Sequence, residues 1–459
     1  MHDIVIKNGR VVTASTSYYA DVAVSDGKIA AIGTDLHGAR EINAAGMLVT
    51  PGAVDIHVHM EMSLPNGYTS SDDFFTGTRA AALGGTTAIV DFAECAPDEP
   101  MLDALARRRA VADPKVVIDY GLHMTVGPNE INKLDQISAA YDAGCASFKL
   151  YMAYGFYLND GELLQALAAI QDVGGLPVIH AENWHAIGAL VQQANADGKH
   201  NPAWHARTRP AALEGEAVGR AIDIATYVGS PLHIFHVGCQ TAVERINAAK
   251  AKGLPITAET CPQYLALTDA AYNRQGVDGA LNICAPPLRS ATDRSAMWRA
   301  LAHGALDIVA TDHCPFVHAD KKRGFEEGGF STVPGGVPSI EVRYALVHSE
   351  GVKNDVLTEN QWVELCCTRP AALAGFARKG QIAPGFDADI CVFDPRVTWT
   401  VNTDSLHENC DWTPYGGITL TGRPVYTLSR GRVIVDNGEI VGEPGSGQFV
   451  RRAIASAAS

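Results

Sequence analysis

The chain has 459 residues, 47% hydrophobic and 19% charged, with 44 glycines, an ordinary globular composition long enough for one large domain plus a smaller one. A net charge of −15 with no run of lysines or arginines argues against nucleic acid as a partner, and no apolar run is long enough to cross a bilayer. Residues 1–9 lack the basic-then-apolar pattern of a leader, and ten scattered cysteines without a CxxC spacing, only Cys366 and Cys367 being adjacent, suit reduced thiols in a cytoplasmic protein better than a disulfide framework.

Residues 1–50 read as short strands. Ile4-Val5-Ile6 and Arg10-Val11-Val12 flank Asn8-Gly9, and Val22-Ala23-Val24 and Lys28-Ile29-Ala30 flank Asp26-Gly27; such pairs signal hairpins because the tight turn needs positive φ. Thr50-Pro51-Gly52 then punctuates the chain, and residues 54–59 read as a short buried strand. Side chains two apart on a strand share a side, so His57 and His59 project together from its end. Beyond it, short apolar runs alternate with helical patterns, which indicates βα units and a parallel sheet. Strands are expected at 54–59, 88–91, 117–123, 147–152, 177–180, 232–236, 256–259 and 308–312. Helices are expected at 74–83, 136–143, 162–172, 214–227, 242–252 and 293–303. Eight strands predict an α/β fold with a (β/α)8 TIM-like barrel. The competitor, a doubly wound open sheet, would carry a Gly-rich phosphate loop after the first strand, and none is present. Hairpin-like patterns return at 388–393 and 431–438. They predict a small β-sandwich domain built from both chain ends, with residues 1–50 as its first part, 51–375 as the barrel, and 376–459 as its second part and C-terminal tail.

Almost every expected barrel strand ends on a polar residue, and in a barrel those ends meet at one face, where catalytic groups of such folds sit. Lys149 lies within a strand that should be buried, where an unpaired ammonium is costly, so a salt bridge is the ordinary expectation for it. His180 and His236 each close an apolar run, and either alone is more often a hydrogen-bonded structural histidine. Asp312 ends the last strand, where it could equally cap a turn. Two imidazoles at His57 and His59 are half of a metal site. Taken together, four histidines, a lysine and an aspartate at the ends of five strands are hard to assign to coincidence.

With those residues in view, the chain resembles the amidohydrolase superfamily and, within it, the hydantoinase/dihydropyrimidinase family of cyclic amidohydrolases. The likeness covers nearly the whole chain: Pro51-Gly52 before the HxH, Gly84-Gly85-Thr86-Thr87, Ser147-Phe148-Lys149, His180-Ala181-Glu182-Asn183, Glu259-Thr260-Cys261-Pro262, Ala285-Pro286-Pro287-Leu288-Arg289 and Ala310-Thr311-Asp312-His313-Cys314. The resemblance implies two divalent metal ions, zinc by ligand type, although manganese fits the same donors. His57, His59 and Asp312 would hold one and His180 and His236 the other, bridged by a carbamylated Lys149. A hydroxide held between the metals would attack the ring carbonyl. Asp312 would serve as general base then acid, and Tyr154, five residues after Lys149, would steady the oxyanion.

The expected substrate is a small cyclic amide, a 5-substituted hydantoin or a dihydropyrimidine opened to an N-carbamoyl amino acid. Met60-Glu61-Met62-Ser63-Leu64-Pro65 lacks the Arg that dihydroorotases and allantoinases place after the HxH, which lowers both alternatives. Met62, Leu64, Tyr68, Tyr151, Phe156 and Tyr157 are expected at the mouth, either against an exocyclic substituent or as a plain hydrophobic lid. The family often has Ser before Pro-Pro-Leu-Arg and Pro-Asn-Gly after the eighth strand. Here Ala285 and Gly335 stand among those substrate-binding positions, which keeps a cyclic imide or another ring amide open. A non-catalytic scaffold protein of the same fold is a further alternative, but such proteins lose metal ligands and all six positions are filled here. The resemblance also implies a homotetramer, with a homodimer as the other option, while charge and the lack of a long apolar run leave neither nucleic acid nor membrane as an expected partner.

Overall fold

The computed structural model describes residues 1–454. Its centre is a ring of eight parallel strands in chain order: Ala53–Asp55, Thr86–Ala93, Asp119–Thr125, Ser147–Tyr151, Leu176–His180, Leu232–Ile234, Ile256–Thr260 and Ile308–Val309. The ring closes just past the named strands, through a parallel bridge between Val58 and His313 and the His59 N–H donating to the His313 carbonyl at 2.8 Å. All eight expected strands exist, but several are shorter than their apolar runs. The first stops at Asp55, the sixth at Ile234 and the eighth at Val309. The chain leaves the ladder where it begins to supply the polar residues, and His236 (φ 40) and Asp312 (φ 51) take up left-handed backbone there, which extended geometry excludes.

Helices lie between the strands. The helix Phe74–Leu83 matches its expected bounds because Asp73 accepts hydrogen bonds from the Phe75 and Thr76 N–H groups, and Thr76 Oγ1 accepts from the Asp73 N–H in return. That reciprocal pattern satisfies donors the first turn would otherwise leave open. The helix Asp160–Asp172 starts ahead of its expected bound for the same reason, with Asn159 as the cap. Ala211–Val228 ends on Gly229 at φ 76. Met101–Ala112, Trp184–Ala196 and His318–Gly328 are helical without having been expected so. No helix among the described residues is long and apolar enough to cross a membrane.

Two further sheets form the β-sandwich. A four-stranded sheet is entirely N-terminal, whereas a seven-stranded sheet joins both ends of the chain, with Ile390–Thr400 antiparallel to Leu48–Pro51. Ile6, Val22, Val24, Val49, Ile390 and Leu428 meet in the core between them. Asp26-Gly27 and Asn437-Gly438 do turn hairpins. Asn8-Gly9 does not. Its flanking strands, His2–Lys7 and Arg10–Val12, belong to different sheets, so the positive φ of Asn8 (62°) turns a corner of the sandwich rather than a hairpin. The sandwich is joined to the barrel by Lys379, buried between Asp119 on the third barrel strand (2.7 Å) and Asp389 (2.6 Å). The C-terminal segment follows the barrel wall, where Phe449 bridges to Tyr120. Tail residues beyond 454 lie outside the described part.

Candidate metal centre

His57 and His59 leave the first strand on the same side and converge on Asp312 from the eighth. The Nε2 atoms of both lie 3.1 Å from Asp312 Oδ1. His236, after the sixth strand, and His180, ending the fifth, close the other side. The His180 and His236 rings are 4.5 Å apart, and His236 is 5.4 Å from His57. One ligand atom each from His57, His236 and Asp312 can be chosen so that all lie within 4.8 Å of one another. Lys149 points inward from the fourth strand with its Nζ 4.1 Å from the Phe235 ring centroid and 4.6 Å from that of Tyr151. Phe235 in turn stacks on His57 at 3.9 Å. The six residues picked out from the sequence therefore gather at one end of the barrel.

Burial sets their protonation. It lowers the pKa of His59, His180 and His236, so these rings are held neutral, the form that ligates metals. At His57 burial acts in the same direction, but Asp312 and Glu259 outweigh it. Burial would also raise the Asp312 carboxyl, and the surrounding imidazoles more than reverse that, keeping it well below the carboxylate range. Lys149 is 1% exposed, and burial brings its ammonium down to about 7 against the pull of Asp312 and Glu259. The ordinary salt bridge expected for a buried lysine is absent among the described residues. An amine poised near neutrality takes its place.

Two carboxylates fix the ring nitrogens. Glu259 Oε1 accepts from His57 Nδ1 at 2.5 Å and Glu259 Oε2 from His233 Nε2 at 3.2 Å. Glu182 Oε2 accepts from His180 Nε2 at 2.9 Å and from Arg209 at 2.7 Å. His57 is thereby left with Nε2 free towards the cluster and His180 with Nδ1, the arrangement by which outer carboxylates orient metal-binding histidines. Two other ring atoms, His59 Nδ1 and His236 Nδ1, are buried without any hydrogen-bond partner. Four imidazoles, an ionised carboxylate and a neutralisable lysine fit a divalent-metal site. Glu259 and Glu182 were visible in the sequence only as members of a strand end and a motif. Arg209 gave no local signal at all.

Tyr154 sits over this end of the barrel with its ring 5.1 Å from His180 and 5.9 Å from Trp184. Burial pushes its phenol up, so it stays a donor. Ala285 and Gly335 fall on neighbouring segments: the Gly336 N–H donates to the Ile283 carbonyl at 2.9 Å, and a Cβ on Gly335 would come within 4.0 Å of Cys284 Cα. The apolar residues expected at the mouth pack largely on one another. Tyr68 is buried with Cys314 and Phe316, with Met62 and Leu64 against them, and Tyr151 meets Phe156 at 4.7 Å.

A sequence model of the amidohydrolase family matches residues 48–434 of this chain. The chain belongs to the amidohydrolase family. A D-hydantoinase of Geobacillus stearothermophilus is 42% identical over 454 residues, 98% of this chain and 96% of the relative. Among solved structures, D-hydantoinase from a Bacillus sp. superposes with a TM-score of 0.95 at 40% identity, covering 99% of this chain and 100% of that one. Dihydropyrimidinase from Brevibacillus agri superposes with a TM-score of 0.96 at 40% identity, covering 98% and 99%. The family resemblance and the barrel with its two-ended sandwich, both expected from the sequence, are borne out. Membership of this amidohydrolase superfamily implies a binuclear metal centre, and the cluster supplies candidate residues to hold it.

Proposed function

We propose that this metal-dependent cyclic amidohydrolase opens 5-substituted hydantoins or dihydropyrimidines to N-carbamoyl amino acids, and that residues 51–375 form the hydrolase unit. The observation that carries the reading is the convergence of Lys149 and Asp312 with the four imidazoles. His57, His59 and Asp312 would hold one ion and His180 and His236 the other, zinc by donor type. Lys149 would bridge them after its neutral amine adds CO2 and gives up a proton to become a carbamate. When bound, such a pair of cations lowers the pKa of a water and polarises a carbonyl.

The remaining work falls to the chain. Asp312, within reach of both His57 and His59, takes the proton of the attacking water and delivers it to the departing ring nitrogen. Tyr154 donates its phenol hydrogen to the oxygen where negative charge develops. The adjoining Ala285 and Gly335 segments present main-chain groups to the ring amide. The expected homotetramer or homodimer and cytoplasmic location belong to this reading, and ten unpaired cysteines are in keeping with the latter.

The test is ring opening of hydantoin and dihydrouracil by protein of measured metal content, set beside Lys149→Ala and Asp312→Asn. The parent should carry two ions per chain and turn over. Lys149→Ala should lose metal, and Asp312→Asn should lose at least about 100-fold in kcat. Full metal occupancy in Lys149→Ala would refute the bridge, and near-parental kcat in Asp312→Asn would refute the proton shuttle. With allantoin and a cyclic imide in the same panel, selective opening of either would move the substrate assignment there.

A further inference from the structure

Next to His59, the loops after the first and second barrel strands enclose a hollow of about 300 Å3. Its walls are charged, unlike the apolar mouth expected from the sequence. Most of those charges are already matched. Arg108 pairs with Asp91 at 2.6 Å, Arg107 with Glu99 at 2.8 Å, and Glu61 with Lys115. Glu94 is the exception. Its side chain lines the hollow and is exposed to it, and among the described residues its carboxylate has neither an ion-pair nor a hydrogen-bond partner.

The position of Glu94 makes that free charge relevant to the site. It follows Phe92, whose ring stacks on His59 at 4.5 Å. A carboxylate without a partner, in a hollow whose other charges are matched, gains from a cation brought in by a ligand.

We propose that Glu94 determines specificity by receiving a cationic or hydrogen-bond-donating end on the exocyclic substituent of the ring substrate. The favoured class is then hydantoins bearing an aminoalkyl chain, ahead of alkyl chains of equal length. This rests on the ring-opening function proposed above. A primary ammonium remains charged at neutral pH, and a site built to engage a charge discriminates against the isostere that lacks it.

The decisive quantity is the ratio of kcat/KM for 5-(4-aminobutyl)hydantoin to that for 5-pentylhydantoin, measured on the metal-loaded full chain. The parent should favour the amine, and Glu94→Gln should lower the ratio by about tenfold. Glu94→Lys should invert the charge preference towards hydantoin-5-acetic acid, which keeps the proposal testable if Glu94→Gln proves insoluble. A ratio that moves by less than about threefold in both variants overturns the assignment. Opening of 5-methylhydantoin, assayed alongside, separates the two levels. If the parent opens it while the ratio stays put, Glu94 alone is refuted. If dihydrouracil but no hydantoin is opened, this inference falls and the ring-opening function stands; if neither is opened, both fall together.

Discussion

Glu259 connects two imidazoles that play different parts. One oxygen accepts from His57 and the other from His233, while His233 Nδ1 meets Thr257 Oγ1 at 2.9 Å. The His57 ring is thus held from behind by a buried anion whose own position is fixed by a second histidine. The surrounding rings keep the Glu259 carboxyl down at about 2 despite burial. Replacing it with Gln keeps the shape but removes the charge that makes His57 a better donor to a cation. Glu259→Gln should therefore bind the ion shared by His57 and His59 about 10- to 100-fold more weakly, read as metal retained against a graded chelator. Retention equal to the parent would show that Glu259 only fills space. This part of the site was half legible in the sequence. His57, Lys149 and Asp312 stand out because a polar side chain ending an apolar run is locally anomalous. Glu259 shares that anomaly, but its partner lies 202 residues away, and no local pattern states which histidine a carboxylate will meet.

The strand ends show what periodicity reports and what it does not. Apolar runs located all eight barrel strands, because burial on both faces leaves a continuous hydrophobic signature. They overestimated the lengths of the first, sixth and eighth strands, because a buried residue in a left-handed turn, such as His236, has the same composition as one in a ladder. The corner at Asn8-Gly9 failed for a related reason: positive φ demands a turn but does not say whether the two strands pair. Helix starts with side-chain caps are more local, and the reciprocal bonds between Asp73 and Thr76 are an example. Asp73→Ala should cost about 1 kcal/mol, with a correspondingly lower midpoint in chemical denaturation. An unchanged midpoint would mean that burial of Phe74 and its neighbours, not the cap, sets where this helix begins.

The whole molecule depends on a joint that composition could not reveal. Lys379 is 4% exposed, and its ammonium lies between Asp119 of the barrel and Asp389 of the segment leading into the sandwich, with Arg430 reaching Asp119 at 2.9 Å. The two carboxylates raise the Lys379 pKa beyond the offset of burial. A raised lysine stabilises the fold fully below its unfolded pKa of about 10.5, so this contribution is intact at neutrality and lost only as the solution becomes strongly alkaline. Removing the cation leaves the buried Asp389 carboxylate without its counter-ion and Asp119 with Arg430 alone, which costs about 3–5 kcal/mol. Lys379→Met should therefore unfold at a markedly lower temperature than the parent at pH 7. Burial and the neighbouring Asp119 already raise the Asp389 carboxyl against the pull of Lys379; without that ammonium Asp389 takes up its proton at a higher pH in the variant than in the parent, so the gap between the two should narrow as pH falls towards 5. A gap that stays constant from pH 8 to 5 would mean that lost packing of the lysine stem, and not unpaired charge, is what the joint supplies.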